Sequence, residues 1–149
     1  MDANKLYLEN RKLIEQNKEL QFKVGLMEDI LDNMQEAVHA VDPDGRVILY
    51  SRAGEKHNHW TKEEALGEHE HNLWKEPLNF SIDKEEIIRK GKGIKNIQMI
   101  GRSVTGREFH IIAGFHPYFY EGEYRAFYYT GRDISDLDYF IKENLYFVL

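Results

Sequence analysis

The sequence predicts an α+β chain: a five-stranded antiparallel sheet with short helices on one face, preceded by an amphipathic, coiled-coil-type helix. Three observations carry this. Apolar residues recur every seventh position up to Met34; the pattern then changes to short strand-like runs bounded by turn residues; and four short helix-like segments separate two strands from three more. With 149 residues, 42% hydrophobic and 11 glycines besides, the chain suits one compact domain with a buried core and an appendage.

The opening segment contains no proline, and Leu6, Leu13, Leu20, Met27 and Met34 fall at a constant step of seven. Placing them at heptad position d puts Ala3, Asn10, Asn17, Val24 and Leu31 at position a. Asparagine at a is costly inside a single chain but pairs with its own copy across a parallel two-stranded seam. A helix of 34 residues would span about 51 Å, whereas the remaining body has a radius of gyration of about 13 Å. Part of the helix must therefore protrude or pair with another chain. Gly25 costs roughly 1 kcal/mol relative to alanine in a helix, so two helices are expected: one over about 2–24 and a shorter one over about 26–35. The expected seam consists of Leu6, Asn10, Leu13, Asn17, Leu20, Val24 and Met27.

Ala37 to Asp42 and Arg46 to Tyr50 read as a hairpin, with Asp42, Asp44 and Gly45 supplying side-chain acceptors and a left-handed position for its turn. Helical pieces follow in SRAGEKHNHW, in TKEEALG, where Thr61 and Glu64 form a capping-box pattern closed by Gly67, and in HEHNLW. DKEEIIRKGKG starts acidic, ends basic and stops at glycine. Three strands rich in Tyr, Phe and Ile come last: KNIQMIGRSV, REFHIIAGFHPYFY and YRAFYYTGRDI. The closing DLDYFIKENLYFVL reads as the start of an exit helix, and its ENLYF resembles a protease-site tag, so it carries no functional weight.

Composition excludes several chemistries. There is no cysteine, hence no disulfide, thiolate zinc site, iron–sulfur cluster, thiol nucleophile or flavin–cysteinyl adduct. No apolar run approaches the roughly 18 residues of a membrane span, and the charged N-terminus is unlike a signal peptide; the chain is expected to be cytoplasmic. A net charge of −6 provides no basic footprint for a nucleic-acid backbone. Walker A and G-x-S-x-G patterns are missing, no carboxylate pair stands out, and no enzymatic activity is expected. GKGIKN follows a helix rather than a strand and reads as a C-cap.

Two stretches in the right order, about 90 residues apart, resemble the PAS domain family. MEDILDNMQEAVHAVDPDGRVILYSRAGEKHNHWTKEEALG is similar to the family's opening helix, hairpin and first helices, and YYTGRDISDL to its last strand and Asp-Ile-Thr/Ser ending. The resemblance covers about Glu28 to Leu137. It implies a PAS sensor domain over 26–137 between a dimerising helix (1–25) and a C-terminal connector (138–149), with Asp133 and Ile134 where the sheet hands its state to the exit helix. Asp133 also has a local role, capping the turn that follows. Ser51 stands where the family commonly has asparagine, and Ala53-Gly54 where it has two alanines. The family's flavin photosensors are excluded by the absence of cysteine.

Seven histidines invite a metal or haem reading, which the spacing weakens. His57/His59 and His69/His71 lie two apart in helical territory, where side chains diverge, and His110 and His116 would be about 20 Å apart along a strand. HEHNL lacks the second histidine of a zincin helix, and the segment that carries the proximal histidine in haem-binding PAS domains, DKEEIIRKGKG, has none. No metal or cofactor is expected.

A small-molecule pocket between sheet and helical lid remains. The residues expected to line it are His39, Trp60, His69, His71, Trp74, Phe80, Phe109, Ile111, Phe127 and Tyr129. Strand facing stays open, since a one-residue shift exchanges His110 and Ile112 for Phe109 and Ile111. The resemblance implies a ligand-sensing module similar to those of sigma-54-dependent transcriptional regulators, a homodimer through its first helix, coupled to an output domain such as an AAA+ ATPase or a kinase. Sensors of histidine kinases and cyclic-dinucleotide enzymes carry similar modules, and a purely structural dimerisation module is the contrasting reading.

Overall fold

A computed structural model of the protein describes residues 2–58 and 60–135, the side chain of His57 excepted. Helix α1 (Ala3–Asn33) starts at Asp2, whose side chain accepts from the Asn4 N–H, and ends where Met34 turns extended. It runs unbroken through Gly25, so the expected split into two helices does not occur. A β-carbon at Gly25 would touch nothing within 4 Å; the glycine costs only its propensity, which a helix of 31 residues with no proline absorbs. Its last turn is tied to the body. Asp32 Oδ2 pairs with Lys62 Nζ at 3.0 Å, and Asp32 Oδ1 accepts from the Arg52 N–H at 3.2 Å.

Strands β1 (Ala37–Val41) and β2 (Val47–Tyr50) form the hairpin. Asp42 Oδ1 accepts from the Asp44 and Arg46 N–H groups, both at 2.9 Å, and Gly45 takes φ +82°, as the turn residues require. The lid follows as α2 (Gly54–Asn58), α3 (Lys62–Ala65), a 3₁₀ turn (Glu70–Asn72), β3 (Trp74–Lys75) and α4 (Lys84–Lys90). Asp83 caps α4 at its start and Gly91, at φ 66°, at its end. Strands β4 (Ile94–Ser103), β5 (Glu108–Tyr120) and β6 (Glu123–Asp133) complete the chain's described part. The C-terminal connector over 138–149 lies outside the described residues.

The sheet has six strands in the order β2-β1-β6-β5-β4-β3, all pairs antiparallel. The sixth strand corrects the expected five: Trp74 leaves the helical register expected of HEHNLW and, with Lys75, pairs with Ser103 and Arg102 at the edge of β4. At the opposite edge, β2 exchanges Val47 N–H to Glu68 O and Gly67 N–H to Val47 O, both 2.9 Å. Lid segments thus cover both sheet edges, which would otherwise offer unpaired backbone groups. On β5 Phe109, Ile111, Ala113 and Phe115 are buried while His110 is exposed. This alternation settles the strand facing. These side chains, with Val41, Tyr50 and Phe127 from the sheet and Ala65, Leu73 and Ile87 from the lid, form the core between the two layers.

Candidate functional site

Between lid and sheet lies a cavity of about 80 Å³, and its walls are mainly apolar. The sheet contributes Ala37 and His39 from β1, Met99 and Gly101 from β4, Phe109, Ile111, Ala113 and Phe115 from β5, and Tyr129 from β6; Asn58, Trp74, Lys75, Pro77 and Ile82 close it from the lid. A second, outer chamber of about 440 Å³ adds the charged residues Glu70, Glu76 and Lys84 and also His71. Trp74, Lys75, Pro77, Ile82, Arg102 and Tyr129 border both chambers. The pair makes a concave site with an apolar interior and a polar mouth, the usual composition of a small-molecule site.

His39 is the centre of the inner wall. Its ring is stacked between Tyr50 (4.6 Å between centroids) and Trp74 (5.3 Å). Trp74 in turn meets the edge of Tyr129 at 5.7 Å, which neighbours His39 across the β1–β6 ladder. Burial pushes the Tyr50 hydroxyl up to about 12, partly offset by a hydrogen bond with Asn58, and Tyr50 donates to the Gly54 carbonyl at 3.0 Å. Burial also pushes Tyr129 strongly up, reinforced by Glu70. Tyr129 donates to Glu70 Oε1 at 3.4 Å, and Lys84 Nζ reaches Glu70 Oε2 at 3.4 Å. Both phenols therefore stay neutral at physiological pH and act as hydrogen-bonding groups rather than charges.

Six of the ten expected pocket residues meet here: His39, Trp74, Phe109, Ile111 and Tyr129 line the inner cavity, and His71 lies at the outer chamber. Trp60, His69, Phe80 and Phe127 are placed elsewhere. Phe127 is fully buried and lies beneath Lys84 Nζ at 5.1 Å; Phe80 stacks on Phe115 from the lid side; and Trp60 packs on the core. His69 caps the 3₁₀ turn, its Nδ1 accepting from the His71 N–H at 3.2 Å, and its ring fills the space above Gly45. The His69 and His71 rings stack at 4.5 Å. No group of three His, Asp or Glu side chains able to hold a metal occurs among the described residues. Among the lining residues that sequence reasoning missed are Asn58, Met99, Gly101, Arg102, Ala113 and Phe115. Gly101 carried a usable signal, since an isolated glycine within a strand marks a close approach, and here the Phe109 ring lies over it.

The end of the sheet is also resolved in detail. Asp133 Oδ1 accepts from the Ser135 N–H at 2.9 Å, and the Ile134 N–H is held by the His110 carbonyl at 2.9 Å.

The sequence of residues 31–138, which holds the sheet and its lid, matches the family model of the PAS fold. The chain belongs to the PAS fold family. The Transcriptional activator RocR of Bacillus subtilis (strain 168) is 23% identical over 128 residues, covering 86% of this chain and 28% of that activator. The PAS chain thus spans little more than a quarter of the length of that curated relative. Among solved structures, the PAS domain of nitrogen regulation protein NR(II) from Vibrio parahaemolyticus is 18% identical (TM-score 0.60), covering 73% of this chain and 98% of that one. The E. coli DhaR(N)–DhaL complex contains a chain that is 15% identical (TM-score 0.62), covering 86% of this chain and 40% of that one. At such identities the structural likeness concerns the fold. No helix among the described residues is long and apolar enough to cross a membrane.

Proposed function

We propose that this PAS domain is the cytoplasmic ligand-sensing module of a bacterial transcriptional regulator of the sigma-54-dependent type. In this reading it has no enzymatic activity of its own, and it passes the state of its pocket through a dimer to an output domain. The observation that carries the reading is the two-chambered cavity between sheet and lid: a lid of short helices is held to the sheet at its edges and leaves space over the sheet's centre. The likeness to a transcriptional activator, which extends over 86% of this chain, supports the regulatory output.

Dimerisation rests on α1. Leu6, Leu13, Leu20, Val24 and Met27 are all about half exposed or more, an arrangement that a second copy would cover in heptad register with Asn10 opposite Asn10 and Asn17 opposite Asn17. Ligand occupancy would bias two arrangements of the lid. Asp32 binds the lid through Lys62, which supports a route from pocket to partner through α1.

A thermal-shift screen of metabolites against the 149-residue chain tests the sensing reading. A cognate ligand at a hundred times its Kd stabilises by about 2.7 kcal/mol. A screen without a stabilising compound, together with a crystal structure whose interior is filled by side chains, would favour a purely structural dimerisation module.

A further inference from the structure

The inner cavity has a polar wall group, on its lid side, whose hydrogen bonding is incomplete. Asn58, at the end of α2, is 4% exposed and lines the cavity. Among the described residues, its Oδ1 has no hydrogen-bond donor. The orientation of the amide follows from proton counting. The hydroxyl of Tyr50 has a single proton and gives it to the Gly54 carbonyl at 3.0 Å, so its oxygen faces the neighbouring Asn58 as an acceptor and favours the NH₂ group of the amide on that side. Turning the amide over would place two acceptors face to face. Oδ1 is thereby left as an acceptor on a buried group of a cavity whose walls include Trp74, Phe109, Ile111 and Phe115, and leaving such an atom unmatched costs on the order of 1–3 kcal/mol.

Resting on the pocket reading above, we infer that the cavity selects a compact, largely apolar molecule bearing a hydroxyl or N–H group at its buried end, donated to Asn58 Oδ1. The aromatic walls favour a ring, and the polar mouth at Lys75 and Arg102 leaves the outward end of the ligand free to carry polar substituents. The selection works by penalty: a ligand of the same shape without the donor leaves Oδ1 unmatched, and such sites reject the donorless analogue more strongly than an apolar pocket rejects a misfit.

Phenol and toluene provide the probes, being nearly isosteric and differing by one hydroxyl for one methyl. Titrations of the 149-residue chain, followed through the NMR signals of the Trp74 indole N–H and the Met99 methyl, give both dissociation constants. The expected result is that phenol binds at least about tenfold more tightly than toluene, although toluene is the more hydrophobic, and that Asn58→Leu reverses the order. Toluene binding as tightly as phenol or tighter in the unaltered chain would overturn the donor inference while leaving a pocket that takes small molecules. Saturable binding of neither probe would overturn both. The comparison within the unaltered chain does not depend on whether the Asn58→Leu variant folds.

Discussion

The imidazole of His39 occupies the space that a side chain on Gly54 would need: a β-carbon built there overlaps His39 Cε1 and lies 3.1 Å from Tyr50 Cζ. Helix α2 can approach β1 this closely only because position 54 has no side chain, and the approach brings the Gly54 carbonyl to the Tyr50 hydroxyl. Gly54→Ala is therefore expected to destabilise the domain by about 1–3 kcal/mol, the usual cost of overpacking a core. Chemical denaturation of the single variant and of the Gly54→Ala/His39→Ala pair checks it. The pair should recover part of the loss, and strictly additive effects would show that the two residues do not share this space.

Ser51, buried at 1% exposure, accepts from the Val38 N–H through Oγ at 2.9 Å, and its own N–H is bonded to the Val38 carbonyl at 2.9 Å. Ser51→Ala should cost about 1–3 kcal/mol, because a part-buried N–H loses its acceptor. A denaturation midpoint unchanged from that of the parent would count against this assignment.

The pH dependence has a definite direction. Burial, with Lys95 nearby, lowers the pKa of His116 below its ordinary 6.5; its ring stacks on Tyr128 at 4.8 Å. The unfolded chain then binds more protons than the folded one below about pH 6.5, so the contribution is complete above that value and is lost as the pH falls toward the lowered folded value. Thermal melts from pH 7.5 to 5.5 should show Tm falling with acid, with a shallower fall in His116→Gln.

For the dimer, sedimentation of the full chain is expected to give a dimer, and of a chain beginning at Gly25 a monomer. Asn10→Leu with Asn17→Leu should raise thermal stability and loosen the choice of oligomeric state, because the polar a positions select two strands at a cost in stability. If the shortened chain dimerises as tightly as the full one, the principal interface lies outside the heptads.

Trp74 borders both chambers whereas Trp60 packs on the core away from them, and these are the protein's two tryptophans. Trp60→Phe leaves Trp74 as the single emitter. Any compound that raises Tm through the cavity should lower acrylamide quenching of this variant, and a stabilising compound that leaves quenching untouched binds elsewhere.

Local chemistry made much of this fold readable. The Asp42–Gly45 turn, the Thr61 cap, Gly91 ending α4 and Asp133 capping the following turn are each set by a few adjacent residues, and each takes the expected form. What was not readable depends on partners distant in the chain. Trp74 and Lys75 become a strand only because Ser103 and Arg102 offer an edge; His69 leaves the pocket because the space over Gly45 receives it. The cavity shows the same division. Large apolar residues at strand spacing pointed to Phe109, Ile111 and Tyr129, but Phe127 fits the same pattern and lies fully buried under Lys84. No local pattern singles out Asn58, whose place in the wall depends on how α2 crosses β1.

The attachment of α1 at Asp32 has a mechanical side. A rigid rod of 31 residues, about 46 Å long, is clamped near one end by a single carboxylate that grips both Lys62 and the Arg52 backbone. With the clamp as fulcrum, a tilt of about 5° carries the far tip through about 4 Å, most of one helical turn. Lid displacements too small to disturb the core would thus reach the distal heptads as motion on the scale of a side chain.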